Sequence, residues 1–190
     1  HTALLAPRFL ASAFASGPSV LIILCFVMKR WAGFSVKKEG IKNLTTIVTY
    51  ALAIHIFFML AEIYTVRYGN LPSHKMHLEF LFFGVAGNRF LMPWAWGSTL
   101  GAIIAFILFL ASGQKRDNIT ILACLLTVIS IWFEKGFGLV LSGFVPTALE
   151  EYPRYVPTVF EVLITLGIYA TGGIILTILY KTVVSFRQCK

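Results

Sequence analysis

The sequence predicts an all-α integral membrane protein, a bundle of about five transmembrane helices, and its composition supports that prediction. Hydrophobic residues make up 58% of the 190 residues, and the mean hydropathy is +0.82. Charged residues make up only 13%, whereas soluble domains carry about 25%. Because water cannot solvate so much apolar surface on so small a body, a bilayer is the solvent that fits. We expect one transmembrane domain over residues 1–190.

Five apolar segments are long enough to span a bilayer, whose hydrocarbon core of about 30 Å takes about 20 residues to cross. They are Phe9–Met28, Leu44–Tyr64, Pro93–Ala111, Ile119–Leu141 and Thr158–Tyr180. Each is predicted to be a helix because lipid offers no hydrogen-bond partner to an open backbone. The stretch His77–Arg89 is apolar but short. We expect it to form an interfacial or re-entrant segment leading into the third span.

The net charge of +8 is interpreted as basic loops beside the membrane, and no nucleic-acid partner is expected. Most of the Lys and Arg residues outside the spans lie in the first loop (29–43), the third loop (112–118) and the C-terminal end (181–190). By the positive-inside rule these segments face the cytoplasm of a prokaryotic cell membrane. The N-terminus and the loops 65–92 and 142–157 then face outward, and the C-terminus is cytoplasmic.

Cysteine spacing and small residues complete the structural predictions. Cys25, Cys124 and Cys189 form no C-x-x-C motif, so we expect no iron–sulfur cluster, covalent haem or metal site in the chain itself. Gly97 and Gly101 form a G-x-x-x-G pattern on the third span. Such residues let two helix backbones approach closely, which predicts a helix contact there.

Two ionisable residues on the second span are candidates for proton transfer, because charges inside a membrane are costly. His55 and Glu62 are separated by about two helical turns, so both face one way, roughly 10 Å apart. Such a pair could pass protons by way of water. The alternative is structural: His55 bonds a neighbouring carbonyl group, and Glu62 caps the membrane edge.

The fourth and fifth spans also carry buried charges. Glu134 and Lys135 are adjacent, so we expect them to point about 100° apart, each needing a partner on another helix or a polar cavity. They could serve as a functional site or as an interhelix ion pair that fixes packing. Glu161 lies one turn into the fifth span. A carboxylate there interacts favourably with the helix N-terminus, which favours a structural role.

The membrane acids share the outer half of the predicted bundle, and arginines border the same side, which predicts a polar pocket that opens outward. The acids are Glu62, Glu134 and Glu161, and the arginines are Arg8, Arg89 and Arg154. Haem ligation in a membrane cytochrome usually needs histidines on two spans, and here only the second span has one, His55.

Several motifs, in their order along the chain, resemble the NrfD/PsrC family of quinone-interacting membrane subunits. The pattern P-x-F-x-x-S-A-x-x-S-G runs from Pro7 to Gly17, and Glu62 lies in LAEIYTVRYG. The stretch LFFGVAGNRFLMPWAW is similar to the loop and helix start that follow in the family. A Glu-Lys pair before a glycine-rich helix end, with PTVFEVLITLG later in the chain, most resembles the subgroup of the Dsr and Hmc complexes.

The resemblance implies the membrane subunit of a respiratory redox complex, with no covalently bound cofactor and with menaquinone or ubiquinone as transient substrate. Electrons would pass between quinone and a ferredoxin-like iron–sulfur partner on the outer face; further partners would include a multihaem cytochrome c and other membrane subunits. Whether the subunit is itself quinone-reactive stays open. Proton transfer is expected at His55, Glu62, Glu134 and Lys135, and quinone-pocket or partner-facing roles at Arg8, Arg89 and Glu161.

Family members usually have about eight to ten spans, so the chain is expected to be the C-terminal part of a larger subunit. Two alternatives remain open. A transporter or channel protein would usually show inverted repeats, which the sequence does not display. A b-type cytochrome anchor would use His55 as a haem ligand.

Overall fold

The computed structural model describes residues 4–32, 38–69, 78–84, 89, 91–112, 117–141 and 158–188. The chain divides into two compact units, His1–Tyr152 and Pro153–Lys190. Within the described residues all regular structure is helical, and five helices are long and apolar enough to cross a membrane. The predicted all-α membrane fold with about five spans is therefore confirmed.

The first unit contains four long helices, and the second contains one. The four are α1 (Leu5–Ala32), α2 (Lys38–Gly69), α3 (Met92–Ser112) and α4 (Asp117–Phe133), and a π-helical segment, Glu134–Leu141, continues α4. Helix α5 (Val159–Gln188) forms the described part of the second unit. Helices α1 and α2 run past the predicted spans at both ends, because a helix need not stop where the hydrocarbon does.

The predicted interfacial segment contains a short helix over residues 78–82. The turn after it ends at Gly84, whose φ of 76° is a left-handed conformation that glycine adopts without steric cost. His77, residues 85–88 and residue 90 lie outside the described residues. Whether the segment lies at the membrane interface stays a prediction.

The four helices of the first unit close around a shared interior. Helix α1 packs against α2 and α4, and α3 packs against α2 and α4. The side chains inside are mostly small, whereas many large apolar side chains are exposed on the outside. Buried examples are Ala15, Ala102, Ala105 and Ala123; exposed ones are Phe14, Phe57, Leu110 and Trp132. This distribution suits lipid, because association in a membrane depends on close packing of small residues.

Several buried hydroxyl groups in this interior are satisfied within their own helices. Ser19, Thr45 and Thr127 each donate to the carbonyl oxygen four residues earlier, at 2.7–2.8 Å. This back-bonding lets a hydroxyl be buried without a partner on another helix. Charged side chains cannot be satisfied in this way, so they must find partners across the bundle.

The predicted helix contact is confirmed at Gly101 but not at Gly97. A Cβ atom on Gly101 would collide with the Ser130 hydroxyl of α4, whereas one on Gly97 would meet no described atom within 4 Å. The close approach of α3 and α4 therefore depends on the absence of a side chain at one position of the pattern.

We predict that Gly101→Ala lowers the melting temperature of the purified protein, whereas Gly97→Ala does not. Both changes gain about 1 kcal/mol of helix propensity, but overpacking at Gly101 costs about 1–3 kcal/mol. Adding Ser130→Ala to Gly101→Ala should restore stability, because the Ser130 Cβ is only in ordinary contact with the added atom at 3.5 Å. Equal melting temperatures for the two single variants would contradict this account.

Candidate functional site

A polar cavity lies at one end of the first unit. The start of α1, the end of α2, the start of α3 and the π-helical segment meet there, because successive helices run in opposite directions. The cavity has a volume of about 80 Å³, room for several water molecules, each of which needs roughly 10–15 Å³ by this measure. Its charged lining residues are Arg8, Glu62, Glu134 and Lys135.

The carboxylate of Glu134 is the centre of the charged wall. Its Oε1 atom accepts a hydrogen bond from Arg8 Nη2 at 2.8 Å and lies 3.4 Å from Lys135 Nζ. Its Oε2 atom pairs with His55 Nε2 at 2.7 Å. The side chain is only 13% exposed. Glu134 thus holds partners on two other helices, α1 and α2, as well as its own neighbour.

Arg8 bridges the two acids of the cavity. Its Nη1 atom pairs with Glu62 Oε2, and its Nη2 atom pairs with Glu134. The planar guanidinium group presents several donors in a fixed fork, which suits it to two acceptors at once. The carboxylates of Glu62 and Glu134 are matched by the cations of Arg8 and Lys135. With His55 neutral, the formal charges of the cluster therefore cancel.

His55 lies behind Glu134, away from the cavity lining, and its side chain is fully buried. Because an ionised carboxylate only accepts hydrogen bonds, its pairing with Glu134 assigns a proton to Nε2. In the neutral ring Nδ1 is then an acceptor. Within the described part of the chain, this buried Nδ1 atom has no hydrogen-bond partner.

Lys135 contacts both Glu134 and an aromatic ring. Its ammonium nitrogen lies 3.9 Å from the centroid of the Phe9 ring, close enough for a cation–π interaction. The expectation that the adjacent side chains of Glu134 and Lys135 point apart and do not face each other is wrong for their charged groups, which lie 3.4 Å apart. The long lysine side chain turns back toward the cavity, so the two groups pair although their Cα–Cβ bonds diverge.

Glu134 is the first residue of the π-helical segment, where the prediction had one continuous helix over 119–141. Such segments interrupt α-helices and are frequent at functional sites. Gly136 and Gly138 follow the ion pair, and Gly138 lines the cavity. The two glycines that follow these buried charges could have indicated, from the sequence, that the helix is irregular here.

The rest of the cavity wall is mainly apolar, and sequence analysis did not identify it. The short helix 78–82 contributes to it and is tied to α3 by the Trp96 indole, which donates to the Phe82 carbonyl at 3.1 Å. The rings of Phe82 and Trp96 also meet edge to face, with centroids 5.7 Å apart. The larger apolar side chains of this wall are Met59, Ile63, Val66, Leu78, Leu81 and Phe82.

The remaining candidate residues take different places. Arg89 is exposed and is not among the described cavity-lining residues; its carbonyl accepts the Met92 N–H at 3.3 Å, just before α3. Glu161 caps α5: its Oε2 accepts the Thr158 N–H at 2.8 Å, and Thr158 Oγ1 accepts the Glu161 N–H at 3.4 Å. This is a capping box. Arg154 lies outside the described residues.

Sequence analysis placed Arg8 only at the border of the pocket, whereas the structure places it between two acids. A charge count could have identified it. Glu62 and Glu134 need two cations inside the membrane, and Lys135 supplies one. Arg8, which directly precedes the first predicted span at Phe9, was a candidate for the second cation.

Comparison with known proteins identifies the family. The model of the family described as polysulphide reductase, NrfD, matches residues 1–148. The chain belongs to the NrfD family. This match includes α1, α2, α3, α4 and every charged group of the cavity.

Two curated relatives match most of the chain. One, from Halobacterium salinarum, is named as a putative membrane subunit of dimethyl sulfoxide reductase; it is 25% identical over 90% of the chain. Another, from Nitratidesulfovibrio vulgaris, is named as the integral membrane subunit of menaquinone reductase; it is 22% identical over 95% of the chain. The chain spans 43% of the length of each relative. No solved structure gives a significant match.

We predict that Arg8→Gln strongly destabilises the protein, because it leaves two carboxylates in the membrane with one remaining cation. Breaking a buried ion pair from one side typically costs about 3–5 kcal/mol. Adding Glu62→Gln should recover part of the loss by restoring the charge balance. The measurement is thermal unfolding of the purified protein in detergent.

Lys29→Gln is the matched control for this prediction. Lys29 and Asp117 form a pair at 3.6 Å with side chains 54% and 61% exposed, and exposed pairs contribute at most about 1 kcal/mol. If Arg8→Gln were no more destabilising than Lys29→Gln, the cavity cluster would not support the helix arrangement.

Proposed function

We propose that the chain contains the quinone-facing site of a membrane subunit in a respiratory redox complex. The observation that carries the proposal is a cavity, in a chain of the NrfD family, whose lining combines charged and apolar side chains. A quinone offers matching chemistry, since a flat apolar ring carries two oxygen atoms. The volume suits water and the oxygen-bearing edge of the ring rather than a whole head group.

Different charged residues would bind the quinone and accept its protons. Lys135 lines the cavity, and after contacting Glu134 it retains a donor for a quinone carbonyl oxygen. Glu62 also lines the cavity and would accept a proton from a quinol hydroxyl. Oxidation of one quinol releases two electrons and two protons. The electrons would pass to the partner subunit, and the protons would leave through the acids and water.

The residues proposed to support proton transfer, directly or by positioning the groups that exchange protons, are His55, Glu62, Glu134 and Lys135, with Arg8 at the quinone pocket. His55 supplies the buried acceptor atom Nδ1 beyond Glu134. Arg89 and Glu161 are exposed and are proposed to face a partner subunit. The reverse direction, quinone reduction, would use the same groups as proton donors.

The partners proposed are a ferredoxin-like iron–sulfur subunit and further redox subunits, such as a multihaem cytochrome c. Both relatives are named as membrane subunits of reductases, which supports a complex of this kind. We place the chain in the prokaryotic cell membrane with the cavity outward and the iron–sulfur subunit on that side. The abundance of Lys and Arg at the opposite ends of the spans supports this orientation.

The proposal predicts that the full-length protein is purified together with an iron–sulfur protein and that the complex oxidises a menaquinol analogue. Glu62→Gln should lower kcat by about a hundredfold or more, the typical contribution of a positioned proton acceptor. Lys135→Gln should mainly raise KM, because it removes a donor to the quinone oxygen. Rates are measured by the reduction of an artificial electron acceptor.

Glu39→Gln is the matched control, since Glu39 is exposed at the start of α2 and should leave kcat and KM unchanged. A purified complex without an iron–sulfur protein and without quinol oxidation would overturn the proposal. Substrate uptake by liposomes containing this protein alone would instead support a transporter.

A further inference from the structure

We propose that the two carboxylates of the cavity have different roles. Glu62 is the group that exchanges protons with the cavity, and Glu134 stays ionised as a positioning residue for Arg8, His55 and Lys135. The link to quinone rests on the proposed function above. The assignment of the exchangeable proton to Glu62 rests only on the geometry of the cluster.

Both oxygens of Glu134 are already occupied. Oε1 faces Arg8 and Lys135, and Oε2 faces the Nε2 proton of His55. A proton arriving on Glu134 would have to displace one of these donors. Protonation of Glu134 is therefore opposed by every contact that the carboxylate makes.

Glu62 is placed differently. Arg8 is its one hydrogen-bonded partner within the described residues, the contact uses only Oε2, and Lys135 acts on Glu62 only through space. The side chain lines the cavity, so a proton can reach Oε1 without displacing a donor. When Glu62 is neutral, Arg8 keeps its second partner, Glu134. The cluster therefore remains connected when the charge of Glu62 changes.

The charged groups facing Glu62 come from two elements. Arg8 belongs to α1, and Glu134 and Lys135 belong to the π-helical segment, while His55 lies two turns away on α2. Helix α3 contributes the uncharged residues Ala95, Ser98 and Thr99 to the cavity. Glu79 on the short helix is exposed and is not among the described lining residues.

Infrared difference spectroscopy of the full-length protein in its complex tests the assignment without any quinone. Acidifying the sample should produce the carbonyl band of a protonated carboxyl group, shifted in deuterium oxide. Exposed carboxylates also give bands on acidification, so the diagnostic band is the component that is present in the unmodified complex, missing in Glu62→Gln and still present in Glu134→Gln. A band lost in Glu134→Gln and intact in Glu62→Gln would overturn the assignment, as would the absence of any such band in the unmodified protein.

Glu62→Asp keeps the experiment decisive if Glu134→Gln does not fold. A carboxyl band that changes frequency in Glu62→Asp belongs to position 62, whereas an unchanged band belongs elsewhere and overturns the assignment. Glu39→Gln provides the baseline, since an exposed glutamate at the opposite end of α2 should not affect the band.

Kinetics of the same variants separate positioning from proton exchange. In quinol oxidation Glu62→Gln should lower kcat with little change in KM, whereas Glu134→Gln should change both, because Arg8 and Lys135 lose their common anchor. Glu134→Asp, which keeps the charge, should recover part of the loss. A pure kcat effect in Glu134→Gln with wild-type kinetics in Glu62→Gln would reverse the roles. If the wild-type complex does not oxidise quinol, the proposed function fails, while the infrared result still decides the assignment.

Discussion

The rest of the structure depends on one constraint, the need of the Glu134 carboxylate for partners inside a membrane. Lipid offers no hydrogen bonds, so a buried charge must be matched by other side chains. Glu134 finds Arg8 on α1 and His55 on α2, while Arg8 also binds Glu62. This cluster brings three helix ends together and determines which side chains line the cavity between them.

Packing elsewhere in the first unit follows from the same solvent. Since lipid is as apolar as a leucine side chain, burial of large apolar groups gives little driving force, and close contact between small residues replaces it. Gly101 against Ser130 is the tightest example. Several buried hydroxyl groups, such as those of Thr45 and Thr127, bond to the carbonyl groups of their own helices. The charged cluster, by contrast, can be satisfied only by a specific juxtaposition of helices.

The same cluster gives the cavity its chemistry. The π-helical segment presents Glu134 and Lys135 at the end of α4, and the short helix 78–82 supplies apolar side chains to the same cavity. Membership of the NrfD family and this mixed lining are the basis on which a quinone is proposed as the molecule that binds there. The geometry separates Glu134, whose two carboxylate oxygens are both occupied, from Glu62, whose Oε1 has no hydrogen-bond partner among the described residues.

The sequence by itself determined the membrane class and the five spans, because the thickness of a bilayer imposes a length and an apolar composition that can be counted along the chain. It also indicated His55, Glu62, Glu134 and Lys135, since charges within apolar segments stand out. Only the tertiary structure decided which of them pair. Arg8 meets partners 54 and 126 residues away, and the packing of helices, which no local pattern encodes, brings such distant residues together.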